Sequence, residues 1–265
     1  MEHLPESNGA KGDPESTKSS VCTLSHFTQP PTHLTHLTHL THLTHLTHLT
    51  HLTHLTHLNP QLLETGASHL QSFSPPSRLC AHLHAFHVYT SDPTRHSSAH
   101  HYCAHVNEDI RQCILYDSAG PNAKLIGVEY MVTPRIYETL DAEERKLWHS
   151  HVFEVKSGML VMPQSAVPEG MWEVAERKEM EEVVGLYGKV WMLWDVERGD
   201  RVPLGRPELM GSFTRKDQFD FEKVVGERDQ RLGVDHKKKA ESRAYIEEPI
   251  IHEDADAVWK SKSEE

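Results

Sequence analysis

Hydrophobic and polar residues alternate with a clear period only from about Leu79 onward. Residues 83–90, LHAFHVYT, alternate with the two-residue period of a β-strand. Residues 112–116 and 124–132 are apolar, strand-forming runs, and the turn-forming residues between them predict a hairpin. Residues 189–196, KVWMLWDV, predict a further strand.

Helices are predicted where the apolar spacing or a start signal changes the pattern. Thr133 followed by Pro134 is typical of a helix start, with the threonine as the cap. Asp141, with a glutamate three residues later, forms a capping-box pattern and predicts a second helix. Residues 169–187 carry an apolar stripe at helical spacing, and residues 216–232 are also expected to be helical.

Two more strands are expected over residues 149–156 and 159–162, and residues 198–210 are expected to form a loop that contains glycine and proline. Hairpins mixed with helices, without repeated βαβ units, predict an α+β fold. We therefore expect a single compact domain in which hairpins and a mixed sheet pack against several helices.

Residues 1–78 are expected to be a disordered tail. Residues 32–58 repeat Thr-His-Leu nine times, and a three-residue period cannot place the leucines on one face of an α-helix or a strand. The flanking residues are rich in Ser, Pro, Gly and Thr, which is typical of disorder. A histidine-rich metal-binding tract is the alternative for the repeat. The predicted organisation is completed by a folded domain over residues 79–247 and a charged C-terminal tail over 248–265.

The net charge argues against a nucleic-acid partner, and the length of the apolar runs argues against a transmembrane segment. The chain has 27 Lys plus Arg against 39 Asp plus Glu, a net charge of −12, so no basic stripe is available to bind nucleic acid. The longest apolar runs, such as residues 125–132, are far shorter than the roughly 20 residues that cross a bilayer. No transmembrane segment is predicted, and any membrane contact must be peripheral.

The cysteines and the N-terminal sequence predict a cytoplasmic protein. The four cysteines form no CxxC pair, and the first residues do not have the pattern of a secretory signal. We therefore expect the cysteines to be reduced.

Histidine is the residue type most suggestive of chemistry, because nine histidines lie between residues 79 and 158. Imidazole can bind a metal ion or transfer a proton near neutral pH. If residues 149–155 form a strand, His149 and His151 share one face and Glu154 lies on the other. Glu129 interrupts an apolar strand, and a buried carboxylate needs a partner.

The segment HHYCAHVNEDIRQC at 100–113 supplies the remaining candidates. If this segment is helical, His101, His105 and Glu108 lie along one side. Together these segments predict a mixed nitrogen and oxygen site for a divalent metal ion. The proposed ligands are His101, His105, Glu129, His149 and His151.

Two other interpretations of these residues remain open. The histidines can simply hydrogen-bond to backbone and carboxylate groups in a polar core. Cys103 can act as a nucleophile with His101 or His151 as its base, although no basic neighbour lowers the pKa of its thiol. No complete catalytic signature accompanies either arrangement, so we assign no catalytic residue.

Four sequence blocks resemble the oil body-associated protein family, a domain of unknown function known from plant seeds with fungal and bacterial relatives. The blocks are residues 100–118, 125–140, 143–163 and 186–210, and the resemblance covers about residues 79–245. The resemblance implies a peripheral, non-enzymatic protein of the lipid-droplet surface that contributes to droplet stability, with no cofactor. The alternative is a metal-dependent enzyme of unknown reaction, in which Glu129 or Glu108 serves as ligand or general base.

Overall fold

Six antiparallel strands hydrogen-bond to one another in a closed ring. The strands of the computed structural model are β1 (Ala81–Tyr89), β2 (His96–His105), β3 (Ile110–Tyr116), β4 (Leu125–Val132), β5 (His149–Ser150), β6 (Tyr187–Met192) and β7 (Glu208–Gly211). The ring runs β1–β2–β3–β4–β6–β7 and returns to β1, and the two-residue β5 adds to β6.

Eight helical segments accompany the sheet in the part of the chain that the structure describes, residues 60–163 and 167–260. They are α1 (Pro60–Leu70), α2 (Ser74–Ser77), α3 (Pro134–Tyr137), α4 (Ala142–Arg145), α5 (Val152–Lys156), α6 (Glu169–Val183), α7 (Phe221–Leu232) and α8 (His236–Ser242). Two 3₁₀ turns lie at Lys216–Gln218 and Ala257–Trp259. The predicted α+β fold is confirmed. Within the described ranges, no helix combines the length and the apolar character of a membrane span.

Local signals predicted several elements correctly. β3 and β4 form the expected antiparallel hairpin. The helix start at Thr133 is confirmed by α3, and the Asp141 carboxylate accepts a hydrogen bond from the backbone N of Glu144 at the start of α4. The helix expected over 169–187 is present as α6, but it ends earlier than expected, at Val183.

The two faces of β1 explain why the ring can hold polar groups. Leu83 and Ala85 face the inner cluster, to which α6 adds Met180. Phe86 and the other even-numbered residues face outward, where α7 covers them. Because both faces are covered, residues 83–89 are all buried, and the alternation seen in the sequence separates two buried environments instead of a buried and a solvated one.

The strand expected at 149–156 is confirmed only over its first two residues, which form β5, and the strand expected at 159–162 is wrong. After β5 the chain turns into α5, and residues 159–162 contribute one isolated bridge between Val161 and His84. Buried guanidinium groups hold this segment in place: Arg243 donates to the carbonyls of Val155 and Leu160. The loop expected at 198–210 is also partly wrong, because its last residues form the short strand β7.

Residues 251–259 pack against the hydrophobic clusters, although a charged tail was expected over 248–265. Ala255 and Asp256 are buried, and both oxygens of the Asp256 carboxylate accept hydrogen bonds from Ser150, one from its backbone N and one from its Oγ, each at 2.8 Å. Trp259 donates from its indole N to the carbonyl of Ser212 at 2.7 Å. These contacts connect residues 256–259 to β5 and to the residue that follows β7.

The chain divides into two contact units, residues 1–70 and 71–265. In the first unit, the structure describes only α1, none of whose residues is buried. Disorder was expected up to residue 78, but α1 and, in the second unit, the short α2 are helical. The expectation of disorder for residues 1–59 lies outside the described residues.

The expected reduced state of the cysteines is corrected at one pair. Cys103 on β2 and Cys113 on β3 are joined by a disulfide, because they lie directly opposite each other in the ladder. Cys80 is free and exposed. A disulfide sulfur carries no thiol, so the structure offers no support for Cys103 as a nucleophile.

Candidate metal centre

Glu129 lies at the centre of the closed ring. In the antiparallel register it stands opposite Cys113 on β3 and Val190 on β6, which places its side chain on the inner face. Only 1% of its surface is exposed. The burial of Glu129 that was inferred from its position in an apolar strand is confirmed. A buried carboxylate of this kind requires polar partners.

Three histidines present their Nε2 atoms to the Glu129 carboxylate. Nε2 of His101 lies 3.3 Å from Oε2, and Nε2 of His149 and of His151 lie 3.4 and 3.5 Å from Oε1. None of the three rings is more than 2% exposed. Three of the predicted histidine ligands are therefore gathered around the predicted carboxylate.

His87 completes the group and was missing from the sequence prediction. Its Nε2 lies 2.8 Å from Nε2 of His101, and its ring is buried on the inner face of β1. The alternation of β1 placed His87 on the same face as Leu83 and Ala85, which was the available signal. We refer to His87, His101, Glu129, His149 and His151 as the His–Glu cluster.

His105 and Glu108 do not join the cluster. His105 lies four residues along β2 from His101, a separation of about 13 Å in a strand. Burial and the neighbouring Arg111 lower the pKa of His105. Glu108 is exposed and contacts Arg135 at 3.3 Å. The helical arrangement that would have aligned them is wrong, because residues 96–105 form a strand.

The backbone sets the tautomers of two cluster histidines. Nδ1 of His101 donates to the carbonyl of Ala99 at 3.1 Å, and Nδ1 of His151 donates to the carbonyl of Leu186 at 2.9 Å. Since a carbonyl only accepts, Nδ1 carries the proton in each ring. In the neutral form, Nε2 of each ring then carries the lone pair, and metal-binding histidines are commonly oriented in this way.

Several buried polar atoms of the cluster make no hydrogen bond. They are Oε1 of Glu129, both ring nitrogens of His149 and Nδ1 of His87. Burying such atoms without partners costs about 1–3 kcal/mol each. The separations of 3.3–3.5 Å are long for hydrogen bonds, but ligands of a tetrahedral Zn²⁺ with arms of about 2.0–2.1 Å lie about 3.4 Å apart.

Charges within the cluster depend on one another. Burial alone would raise the pKa of Glu129, but His149, His151 and the other rings hold it well below its usual value. For His151, burial acts to lower the pKa, but Glu129 and Glu154 raise it to about 9. Without a metal ion, a proton on His151 therefore supplies the positive charge that the Glu129 carboxylate requires.

Glu154 is a second buried carboxyl beside the cluster. The predicted strand over residues 149–155 would place Glu154 on the face opposite His149. Glu154 instead lies in α5, and its Oε1 is 3.9 Å from Nε2 of His149. Burial raises its pKa. The site therefore contains two carboxyl groups and four imidazoles, an arrangement suited to a divalent cation.

Gly188 on β6 makes the close approach of Glu129 and His149 possible. A Cβ at this position would lie 2.3 Å from Oε1 of Glu129 and 2.7 Å from Nε2 of His149. No side chain larger than hydrogen fits between them without displacing one of the two.

Comparison with known proteins assigns the chain to a family. Residues 73–247 match a family described as "Protein of unknown function (DUF1264)". Oil body-associated protein 1B of Arabidopsis thaliana is 43% identical over 190 residues, which cover 72% of this chain and 76% of the relative. The chain belongs to the oil body-associated protein family. Oil body-associated protein 1A of Zea mays is 44% identical over 203 residues, or 75% of this chain and 82% of the relative. No solved structure matches the chain.

The range shared with the oil body-associated family contains the whole His–Glu cluster. The matched residues run from 73 to 247 and include the ring strands and Glu154, but they end before Asp256. The family resemblance inferred from the sequence blocks is confirmed, and the cluster lies inside the shared domain.

Proposed function

We propose that the protein is a peripheral component of oil bodies whose core is stabilised by one divalent metal ion in the His–Glu cluster. The relatives are named for oil-body association, which supports the location. The set of buried donor atoms without hydrogen bonds around Glu129 supports the metal ion.

The candidate ligand atoms lie close enough together to bind one metal ion. In two overlapping trios, the candidate ligand atoms lie within 4.8 Å of one another: His87 with His101 and Glu129, and His149 with His151 and Glu129. Imidazole nitrogen with one carboxylate oxygen is a donor set that suits Zn²⁺, Fe²⁺ or another first-row ion.

Charge balance favours one ion over two. The charged forms of Glu129 and Glu154 together carry two negative charges, which match one divalent cation surrounded by neutral imidazoles. Two cations in the same space would leave a net positive charge of two buried in the core, which is strongly unfavourable.

A structural ion explains the location of the ligands better than a catalytic one. The cluster joins β1, β2, β4 and the β5–α5 turn, and all its residues are buried. Structural metal sites are closed in this way, whereas catalytic sites keep a position open for water or substrate. The metal-dependent enzyme remains the second candidate, and a bound ion that exchanges a water ligand with solvent would favour it.

Metal analysis of the purified full chain tests the cluster by difference. The wild type is expected to retain about one more divalent ion per chain than the His149→Ala/His151→Ala variant, because the variant lacks two ligands. Subtraction removes any contribution from the Thr-His-Leu repeat, which both proteins share. The His105→Ala variant is the matched control and should retain as much metal as the wild type. Equal metal content in the double variant and the wild type would contradict the metal site.

The location is tested with a fluorescent fusion of the full chain in lipid-loaded cells. The fusion should form rings around lipid droplets, while the fluorescent protein alone stays diffuse. A diffuse signal from the fusion in the same cells would rule out oil-body association.

A further inference from the structure

We propose that residues 198–207, the loop between β6 and β7, insert into the phospholipid monolayer of the oil body and bind its anionic head groups. This inference rests on the proposed oil-body location and adds the surface and the lipid chemistry. We refer to these residues as the arginine-flanked loop.

The tip of the loop is apolar and exposed. Val202 and Leu204 each expose 55% of their surface, on either side of Pro203. Gly205 follows with a φ of 79°, which turns the chain back towards β7. All residues from 201 to 207 are exposed. A turn of this kind presents two aliphatic side chains to a partner and keeps them out of the core.

Arginines stand on both sides of this tip. Arg201 precedes Val202 and Arg206 follows Gly205, and within the described residues neither arginine pairs with a carboxylate. Arg198 is already paired with Asp200. These two cations complement the negative surface of a monolayer that contains anionic lipid.

A cavity of about 310 Å³ lies beneath the loop and can receive a head group. Arg198, Arg206 and the ring of Trp194 form part of its wall. Asp195 and Glu208 also line the cavity: Asp195 is paired with Arg95, whereas Glu208 accepts a hydrogen bond from the neutral hydroxyl of Ser91. The cation that remains available there is Arg206, whose guanidinium can hold a phosphate oxygen pair.

Two other exposed apolar surfaces lack this charge. On α6, Met171 and Val174 are exposed by 67% and 53%, but the helix sequence EGMWEVAERKEMEEV contains six glutamates against one arginine and one lysine. An anionic monolayer repels such a helix. Helix α1 exposes leucines but contains neither lysine nor arginine. Of these three surfaces, all within the described residues, the arginine-flanked loop is the one that combines apolar and cationic contacts.

Flotation with artificial oil bodies tests the assignment. The full chain is mixed with triolein droplets coated either with phosphatidylcholine alone or with phosphatidylcholine and phosphatidylserine. The wild type should float with both and bind the serine-containing droplets more strongly. The Val202→Asp/Leu204→Asp variant should bind at least about ten-fold more weakly to both, because two aliphatic contacts with lipid are lost. The Arg201→Gln/Arg206→Gln variant should lose the preference for phosphatidylserine.

The Met171→Asp/Val174→Asp variant on α6 is the matched control, and it should bind like the wild type. If the loop variant binds as well as the wild type, the loop assignment is overturned while oil-body association stands. If the wild type fails to bind either kind of droplet, oil-body association fails and the loop proposal fails with it.

Discussion

The Gly188→Ala variant is expected to fold normally but to bind the metal ion at least about 100-fold more weakly than the wild type. The added methyl group would overlap Oε1 of Glu129 and Nε2 of His149. Both atoms are at the ends of side chains, so the backbone can stay in place while the side chains rotate away. The ligands are then displaced although every ligand residue is still present.

The measurement for Gly188→Ala is metal affinity by competition with a chelator of known strength, together with far-ultraviolet circular dichroism. Gly185→Ala is the matched control: it lies three residues earlier, and nothing lies within 4 Å of its added Cβ. The control should retain the metal. Wild-type affinity in Gly188→Ala would show that the ion, if present, is bound elsewhere.

The Gly158→Ala variant is expected to lose about 3 kcal/mol or more of unfolding free energy. Gly158 has a φ of 74°, and its added Cβ would lie 2.1 Å from the backbone carbonyl oxygen of His236 at the start of α8. A backbone atom cannot rotate away, so α8 or the 155–160 segment must move. The carbonyl of Gly158 also accepts a hydrogen bond from Arg228, which the movement weakens.

Urea unfolding of Gly158→Ala and Gly233→Ala separates the two contributions. Gly233, the C-cap of α7, has a similar φ of 67°, but nothing lies within 4 Å of its added Cβ. Gly233→Ala should therefore show only the conformational penalty of about 1–2 kcal/mol. Equal losses in the two variants would mean that the close approach to His236 contributes nothing.

Most of the ring could be predicted from the sequence because its signals are local. The hairpin of β3 and β4 follows from two apolar runs joined by turn-forming residues, and α4 follows from its cap at Asp141. Glu129 was identified as a site residue because a charged residue in a buried strand needs a partner. Each of these inferences uses residues within a few positions of one another.

The β5–α5 turn could not be predicted because distant residues determine it. His151 is the residue at which the chain leaves the extended conformation. On one side of it, Asp256 binds Ser150; on the other side, Arg243 binds a carbonyl of α5. None of these partners is local in sequence. His149 and His151 still converge on Glu129, but they do so across a turn, and the predicted alternation along a strand was not the reason.

His87 and His105 show what alternation along a strand leaves undetermined. Alternation assigns His105 to the same face of β2 as His101, but it does not tell which pairs are close enough to share an ion. In the register of β1 and β2, Leu83 lies opposite His101 and His87 lies opposite Ser97. The 2.8 Å contact between the His87 and His101 rings is therefore not a directly opposed cross-strand pair, and alternation alone does not predict it.

The tie between Asp256 and Ser150 has a consequence for the order of events during synthesis. The two residues are 106 positions apart, and Ser150 stands between His149 and His151. A nascent chain that has reached residue 247 already contains every donor of the cluster but not the carboxylate that braces β5. We therefore expect β5 to reach its braced geometry only after the residues around 256 have been synthesised, so that the proposed ion would meet its full set of donors only at that stage.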